Sequence, residues 1–360
     1  APVYLFLAWV LWRDRAEARR AAAAAPLLLA LLALAFASTL WSIDAGATVR
    51  RAVWLALTTG FGLYLAWRYS WRELTEVLAG AFVLLIAGSF FVGALAPSIG
   101  RMAAEHPGAW GGLWTHKNTL GGIMALGVAI CASAAWLAPA RRKVWSAAAL
   151  GALALVLLST SMTALIASCL GLGIIAGAAM IRSGPMPALL AGAGALALII
   201  LSASVALLAP DILVAAIGRD LTLTGRTDIW DAAQSAVNAK PWLGYGYYAF
   251  WLPDEGPAYW VRQAVQWEVS SAHSAWLELA LGVGRVGVAL FALQLLATLA
   301  RGAGAVMRAD AGVWAPAFLA VFTLYTLSES HALEANNLFW TIYVAVAARL
   351  ALDAREKAKA

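Results

Sequence analysis

The amino-acid sequence predicts an all-α polytopic membrane protein, and three observations carry that prediction. Of its 360 residues 63% are hydrophobic and 12% charged, with a mean hydropathy of +0.78, so polar surface is too scarce to cover a soluble domain and lipid must solvate most of the chain. Apolar runs of bilayer-crossing length recur from end to end. One long polar interruption, from Pro210 to Ala272 and closing on His273, breaks the pattern. The expected organisation is therefore transmembrane helices with short loops over 1–209, a long, partly helical loop carrying the reactive residues over 210–272, and further transmembrane helices with a tail over 273–360.

About 20 apolar residues cross a bilayer core. Eleven such spans are expected: 1–12, 21–41, 52–67, 74–96, 119–137, 144–158, 163–181, 187–209, 273–300, 312–328 and 337–352. The first starts at Ala1, without a Met and already inside an apolar run, so a first helix is expected to be lost and the intact chain to hold twelve spans. With the C-terminus in the cytoplasm, alternate loops from Arg13 to the tail at Lys359 collect 16 of the 25 basic residues. The positive-inside rule then puts the long loop on the outer, periplasmic side. All four histidines, His106, His116, His273 and His331, fall on that same side.

Composition also excludes several functions. The net charge of +6 is the topogenic excess of cytoplasmic loops, not a nucleic-acid surface. Cys131 and Cys169 sit in apolar spans, which argues against a disulfide framework, a thiol site or a zinc cluster. Asp228 and Asp231 share a helix face but have no third fixed partner, so Asp228 reads as a cap or an orienter of Arg226 before a metal ligand. Neither a metal nor a cofactor is expected.

Four stretches remain as carriers of chemistry. Trp110 to Gly122 leads into the span 119–137, and His116, Lys117 and Asn118 at that helix start make an anion seat. The alternative is an Asn/Thr cap with a snorkelling lysine. Ser159, Thr160, Ser161 and Thr163 line a polar cavity or, more simply, bond within their own helices. In the long loop, Gly225, Arg226, Asp228 and Trp230 open an amphipathic helix that Pro241 stops. Arg226 stands in its first turn, where the helix dipole disfavours a cation, and that misfit marks it as an anion ligand.

Arg219 and Arg262 add planar donors able to clamp a diphosphate. The loop's aromatics, Tyr245 among them, serve as an interfacial belt or stack on sugar rings. Finally, His273 stands at the threshold of the span 273–300 behind Ser270 and Ser271, either as a proton acceptor or as an ordinary interfacial residue.

Taken in order, Trp114-Thr-His-Lys-Asn-Thr-Leu-Gly121, Ser159-Thr-Ser-Met-Thr-Ala-Leu165, Gly225-Arg-Thr-Asp-Ile-Trp230, Pro241-Trp-Leu-Gly-Tyr-Gly246 and Ser271-Ala-His-Ser-Ala-Trp-Leu-Glu278, with Gly282, Gly284 and Gly287 beyond, resemble the O-antigen ligase and O-antigen/exopolysaccharide polymerase family. The resemblance runs from about Trp41 onward. It implies a twelve-span glycosyltransferase of the GT-C type in the bacterial inner membrane. Such an enzyme needs no metal and uses an undecaprenyl-diphosphate-linked glycan on the periplasmic face. It assigns the donor diphosphate to Arg226 and acceptor activation to His273, with inversion at the anomeric carbon.

Lys117 and Arg262 are implied as further phosphate contacts, and His116, Asn118, Ser161, Arg219, Tyr245 and Glu329 as further contacts to diphosphate or glycan. One departure is Met162, where many relatives carry a basic residue; Lys117 or Arg219 is expected to substitute, or the donor is held differently. Ser328-Glu329-Ser330 before Asn336-Asn337-Leu-Phe-Trp340, with the His-Lys-Asn segment, resembles exopolysaccharide polymerases more than ligases. A Wzy-type polymerase, whose donor and acceptor are both lipid-linked, is therefore expected. A ligase would take lipid A-core as acceptor, and a protein-glycosylating relative a Ser or Thr. A flippase or chain-length regulator is the protein partner such a system admits. A secondary transporter, the reading from another class, would show internal repeats and charges at the bilayer midplane, and the sequence shows no such repeat.

Overall fold

The computed structural model describes residues 2–103, 106–208, 226–252, 255–308 and 313–358. Among these the regular structure is helical, apart from an isolated antiparallel bridge between Arg101 and Trp110. A helix lies at each expected span. Four are long and apolar enough to cross a membrane: Trp71–Leu95, Lys117–Leu137, Met162–Ser183 and Ala275–Gly304. A fifth is added if the bent pair Arg15–Ala24 and Pro26–Leu40 counts as one span. The protein is thus a multi-pass membrane protein, and the remaining described helices fall short of that combined length and apolarity.

Two expected spans differ in form. The stretch 21–41 is not one straight helix, because Pro26 begins a new helix after Ala25 and the two parts meet at 93°. Proline has no N–H to continue the preceding ladder, and its fixed φ suits a helix start. The span 273–300 is also interrupted, at Gly284, as described below.

The chain divides into two compact units. One comprises Tyr69–Leu213 and Gly302–Leu324. In it, Ser70 and Glu73 form a reciprocal capping box that starts the helix Trp71–Leu95. Lys117–Leu137 packs against Trp71–Leu95, Arg142–Leu158 and Met162–Ser183. Close approach depends on Gly121, where an added Cβ would lie 2.8 Å from Ser159 Oγ and from Ser161 Cβ, as expected where membrane helices meet on small residues. Trp71 and Trp314 close the core edge-on with ring centres 5.4 Å apart.

The other unit comprises Ala1–Arg68, Val214–Arg301 and Tyr325–Ala360. Its spine is the pair Ala45–Arg68 and Leu338–Lys357, the second buried along most of its length. Asn337 caps that helix by accepting from Trp340 N, the Trp340 indole donates to Thr59, and Asn336 N donates to Thr58. These bonds fix the loop that precedes it, from Glu329 to Asn337.

A backbone clip joins the long loop to the helix Ala275–Gly304. Gly284 has φ 68 and ψ −171, which breaks the helix. The carbonyls of Leu281 and Gly282 accept from Tyr245 N at 2.7 Å and Gly246 N at 2.9 Å, while Arg285 N and Val286 N donate to Pro241 O and Trp242 O. The broken ladder is thus repaired by the Pro241–Gly246 turn, which is how irregular backbone is tolerated at membrane depth. Only glycine fits at Gly284: that φ/ψ region is closed to side chains, and a Cβ would lie 2.1 Å from Trp242 O. Gly284→Ala is expected to cost about 1–3 kcal/mol for the backbone alone. A lowered melting temperature in detergent would show it, and an unchanged one would contradict the clip.

Candidate active site

The helix Arg226–Ala239 is amphipathic, and Ile229, Ala233 and Val237, at successive i, i+4 positions, face inward. They pack with Phe250, Trp251, Val261, Val269 and Ala272 into a core that belongs to the loop itself. The Trp230 indole donates to Ala272 O at 2.8 Å and pins this helix to the turn before His273. Arg226 in the first turn is thereby carried to the loop that follows Ser328.

There the guanidinium donates to Ser328 O at 2.6 Å and to Glu329 Oε1 at 2.8 Å. The second oxygen of the same carboxylate lies 3.4 Å from His273 Nδ1. Arg226, Glu329 and His273 thus form one continuous group, 103 and 56 residues apart along the chain. The side chains of Arg226 and Glu329 are only 17% and 20% exposed, whereas His273 is 37% exposed. The arginine–carboxylate pair is therefore largely withdrawn from water, and the imidazole is reachable by a substrate.

Burial alone pushes the Glu329 carboxyl upward, but the His273 hydrogen bond and the positive charges of Arg226, His273 and His331 outweigh it and hold the group below the usual carboxylate range. A depressed carboxyl contributes stability above its unfolded pKa of about 4.3, and loses it as pH falls through the folded value. The wild-type protein is therefore expected to lose more melting temperature than Glu329→Gln as pH is lowered below about 4. Parallel melting curves for the two proteins would contradict this pairing.

His273 itself has φ 48, a left-handed backbone that costs a non-glycine residue energy. The turn is held by Glu278, a buried carboxylate in the first turn of Ala275–Gly304. It accepts from Ala272 N at 2.6 Å and from the Trp251 indole at 3.0 Å. Two more left-handed residues, Leu333 and Asn336, shape the opposite loop. Tyr247 donates to Leu333 O at 2.5 Å and Tyr248 to Ser330 O at 3.2 Å, so the long loop also fixes the position of Glu329. Beyond it, His331 pairs with Glu334 at 3.2 Å and stacks on Phe339 with ring centres 4.3 Å apart, a second histidine–carboxylate pair that stiffens the loop.

The other expected site residues are distributed as follows. His116, Lys117, Asn118 and Ser161 come together in the other unit: His116 caps its helix by accepting from Asn118 N, and Lys117, 2% exposed, donates to Thr160 at 3.4 Å. Gly121 brings Ser159 and Ser161 against the same helix. Arg262 donates to Trp251 O at 2.5 Å and Val269 O at 3.1 Å, which spends much of its fork on the loop's own backbone. Tyr245 is 4% exposed, donates to Ala236 O and packs on Phe250, a place in the loop core. Arg219 lies outside the described residues.

Sequence reasoning missed Glu278 and the paired tyrosines as supports. Glu278 was visible only as the last letter of the His273 segment. The tyrosines were indistinguishable from belt residues. Among the described residues no group of three or more His, Cys, Asp or Glu is arranged to hold a metal ion.

Comparison with known proteins bears on this geometry. Residues 147–292 match the sequence model of the O-antigen ligase family, a segment that contains both Arg226 and His273. The exopolysaccharide production protein ExoQ of Rhizobium meliloti (strain 1021) is 27% identical over 198 residues, covering 51% of this chain. The match spans 45% of that relative's own length. The apolar helices, the ordered motifs and these two matches agree: the segment carrying Arg226 and His273 is similar to the O-antigen ligase family and to an exopolysaccharide production protein.

Proposed function

We propose that the chain is a membrane glycosyltransferase that joins undecaprenyl-diphosphate-linked oligosaccharide units on the periplasmic face of the bacterial inner membrane. The observation that carries this reading is the single Glu329 carboxylate shared between a guanidinium and an imidazole. The family match supports a lipid-linked glycan as the substrate class.

In this reaction an acceptor sugar hydroxyl attacks the anomeric carbon of the donor, and the bond from that carbon to the diphosphate oxygen breaks. His273 Nε2 takes the hydroxyl proton, because Glu329 engages Nδ1 and fixes the tautomer that leaves Nε2 as acceptor. The separation of 3.4 Å is long for a hydrogen bond, as is common in catalytic groups before substrate binds. The imidazolium then formed is stabilised by the same carboxylate. The leaving group departs as undecaprenyl diphosphate, and Arg226 neutralises the charge gathering on it. Attack from the face opposite the leaving group inverts the anomeric centre. Fixed side-chain cations supply the charge, so turnover is expected to survive EDTA.

A twelve-span GT-C architecture is part of the same reading, as is an anion seat of its own at Lys117. Polymerisation is preferred to ligation because the similar ExoQ is an exopolysaccharide production protein, and such a chain is built from repeat units. Complementation of a strain lacking the enzyme separates the two by glycan length on a gel. Restored long chains from surface-borne single units support the polymerase; restored attachment to lipid A-core, with chain length unaffected, overturns it in favour of a ligase.

A further inference from the structure

Among the described residues, no group neutralises the Arg51 guanidinium directly. It lies on the helix Ala45–Arg68, partly buried, with its guanidinium carbon 5.7 Å from the ring centre of Tyr248. Among the described residues it makes neither a hydrogen bond nor an ion pair. The carboxylates of this corner are already engaged: Glu329 by Arg226 and His273, Glu334 by His331 and Asn337, and Glu278 by Trp251 and the Ala272 backbone.

The Arg51 charge nonetheless acts on both Tyr247 and Tyr248. The Tyr248 hydroxyl donates to Ser330 O at 3.2 Å, and Arg226 donates to Ser328 O at 2.6 Å. Arg226 thus bonds the Ser328–Ser330 segment directly, and Arg51 lies by the ring of Tyr248, whose hydroxyl bonds the same segment.

A half-buried guanidinium has lost part of its hydration and regains little of it from an aromatic face at that distance. It stays charged in every environment, and with the described carboxylates of this corner engaged, an anionic ligand is the partner that fits it. A diphosphate carries at least one negative charge on each phosphate, and one cationic fork per phosphate matches it in charge and geometry. We propose that Arg51 is a second anion-binding residue of the Arg226 site, and that the pair takes a diphosphate with one guanidinium on each phosphate group. This rests on the glycosyltransferase reading above.

The test is binding of sugar-free undecaprenyl diphosphate and of undecaprenyl monophosphate to the full chain in lipid nanodiscs. Arg51→Gln is expected to weaken diphosphate binding about tenfold to a hundredfold and monophosphate binding much less. Arg51→Lys should recover part of the loss, with melting curves of both variants near wild type. Unchanged diphosphate affinity in Arg51→Gln overturns the assignment, and so does an equal loss for the two lipids. A role of Arg51 in holding an acidic sugar would leave sugar-free diphosphate binding untouched, which also overturns it. Arg226→Ala serves as the internal control: loss there with none at Arg51 removes only this inference, whereas full binding in both variants removes the glycosyltransferase reading as well.

Discussion

Replacing His273 is expected to lower the transfer rate about 10²–10⁴-fold, the usual contribution of a positioned general base. Asparagine is the informative substitution. His273 occupies a left-handed backbone position, which asparagine tolerates better than most residues. His273→Asn therefore keeps the turn that Glu278 and Trp230 hold in place and removes only the proton acceptor. Melting in detergent should stay close to wild type while linkage formation falls. A His273→Asn protein that turns over at the wild-type rate would remove the base from the mechanism.

Arg226→Ala is expected to cost about 10²–10³ in rate, in line with loss of one preorganised group that stabilises transition-state charge. It has a second effect, because the buried Glu329 carboxylate then loses its guanidinium partner, and an undercompensated buried charge destabilises the fold. The double variant Arg226→Ala/Glu329→Gln separates the two effects. It should recover melting temperature lost by Arg226→Ala alone but none of the activity. Arg226→Lys should sit between, since it keeps the charge and loses the planar fork. Recovery of activity in the double variant would mean that Arg226 serves the fold and not the donor.

Several of these features were legible in the sequence because their signals are local. Helix positions followed from apolar runs, and Arg226 was marked by a cation in a first helical turn. His273 was marked by its place at the mouth of a span. Glu329 came from resemblance, and nothing near it in the chain foretold that it would bridge residues 103 and 56 positions away. Long-range pairings leave no periodicity to read. The same reason hid Arg51, whose meaning depends on Tyr248, and Glu278, which reads as one polar residue at a helix start until Ala272 N and the Trp251 indole are seen to converge on it.

Breaks in helices were hidden differently. Hydropathy alone does not register the bend at Pro26 or the break at Gly284, because apolar composition continues through both. In each case the cause is backbone chemistry: a missing N–H at proline, and a φ/ψ open to glycine. Arg262 and Tyr245 illustrate the converse. Both have the chemistry of ligands, yet their polar atoms are spent on loop carbonyls, which sequence cannot distinguish from a waiting site.

The most direct measurement counts undecaprenyl diphosphate released against glycosidic linkages formed, using the purified protein in proteoliposomes with lipid-linked oligosaccharide. The expected result is one diphosphate released per linkage in the wild type, with both signals lost together in His273→Asn and Arg226→Ala at retained fold. Linkage formation without release of the lipid diphosphate, or undiminished release in either variant, would contradict a site built on Arg226, Glu329 and His273.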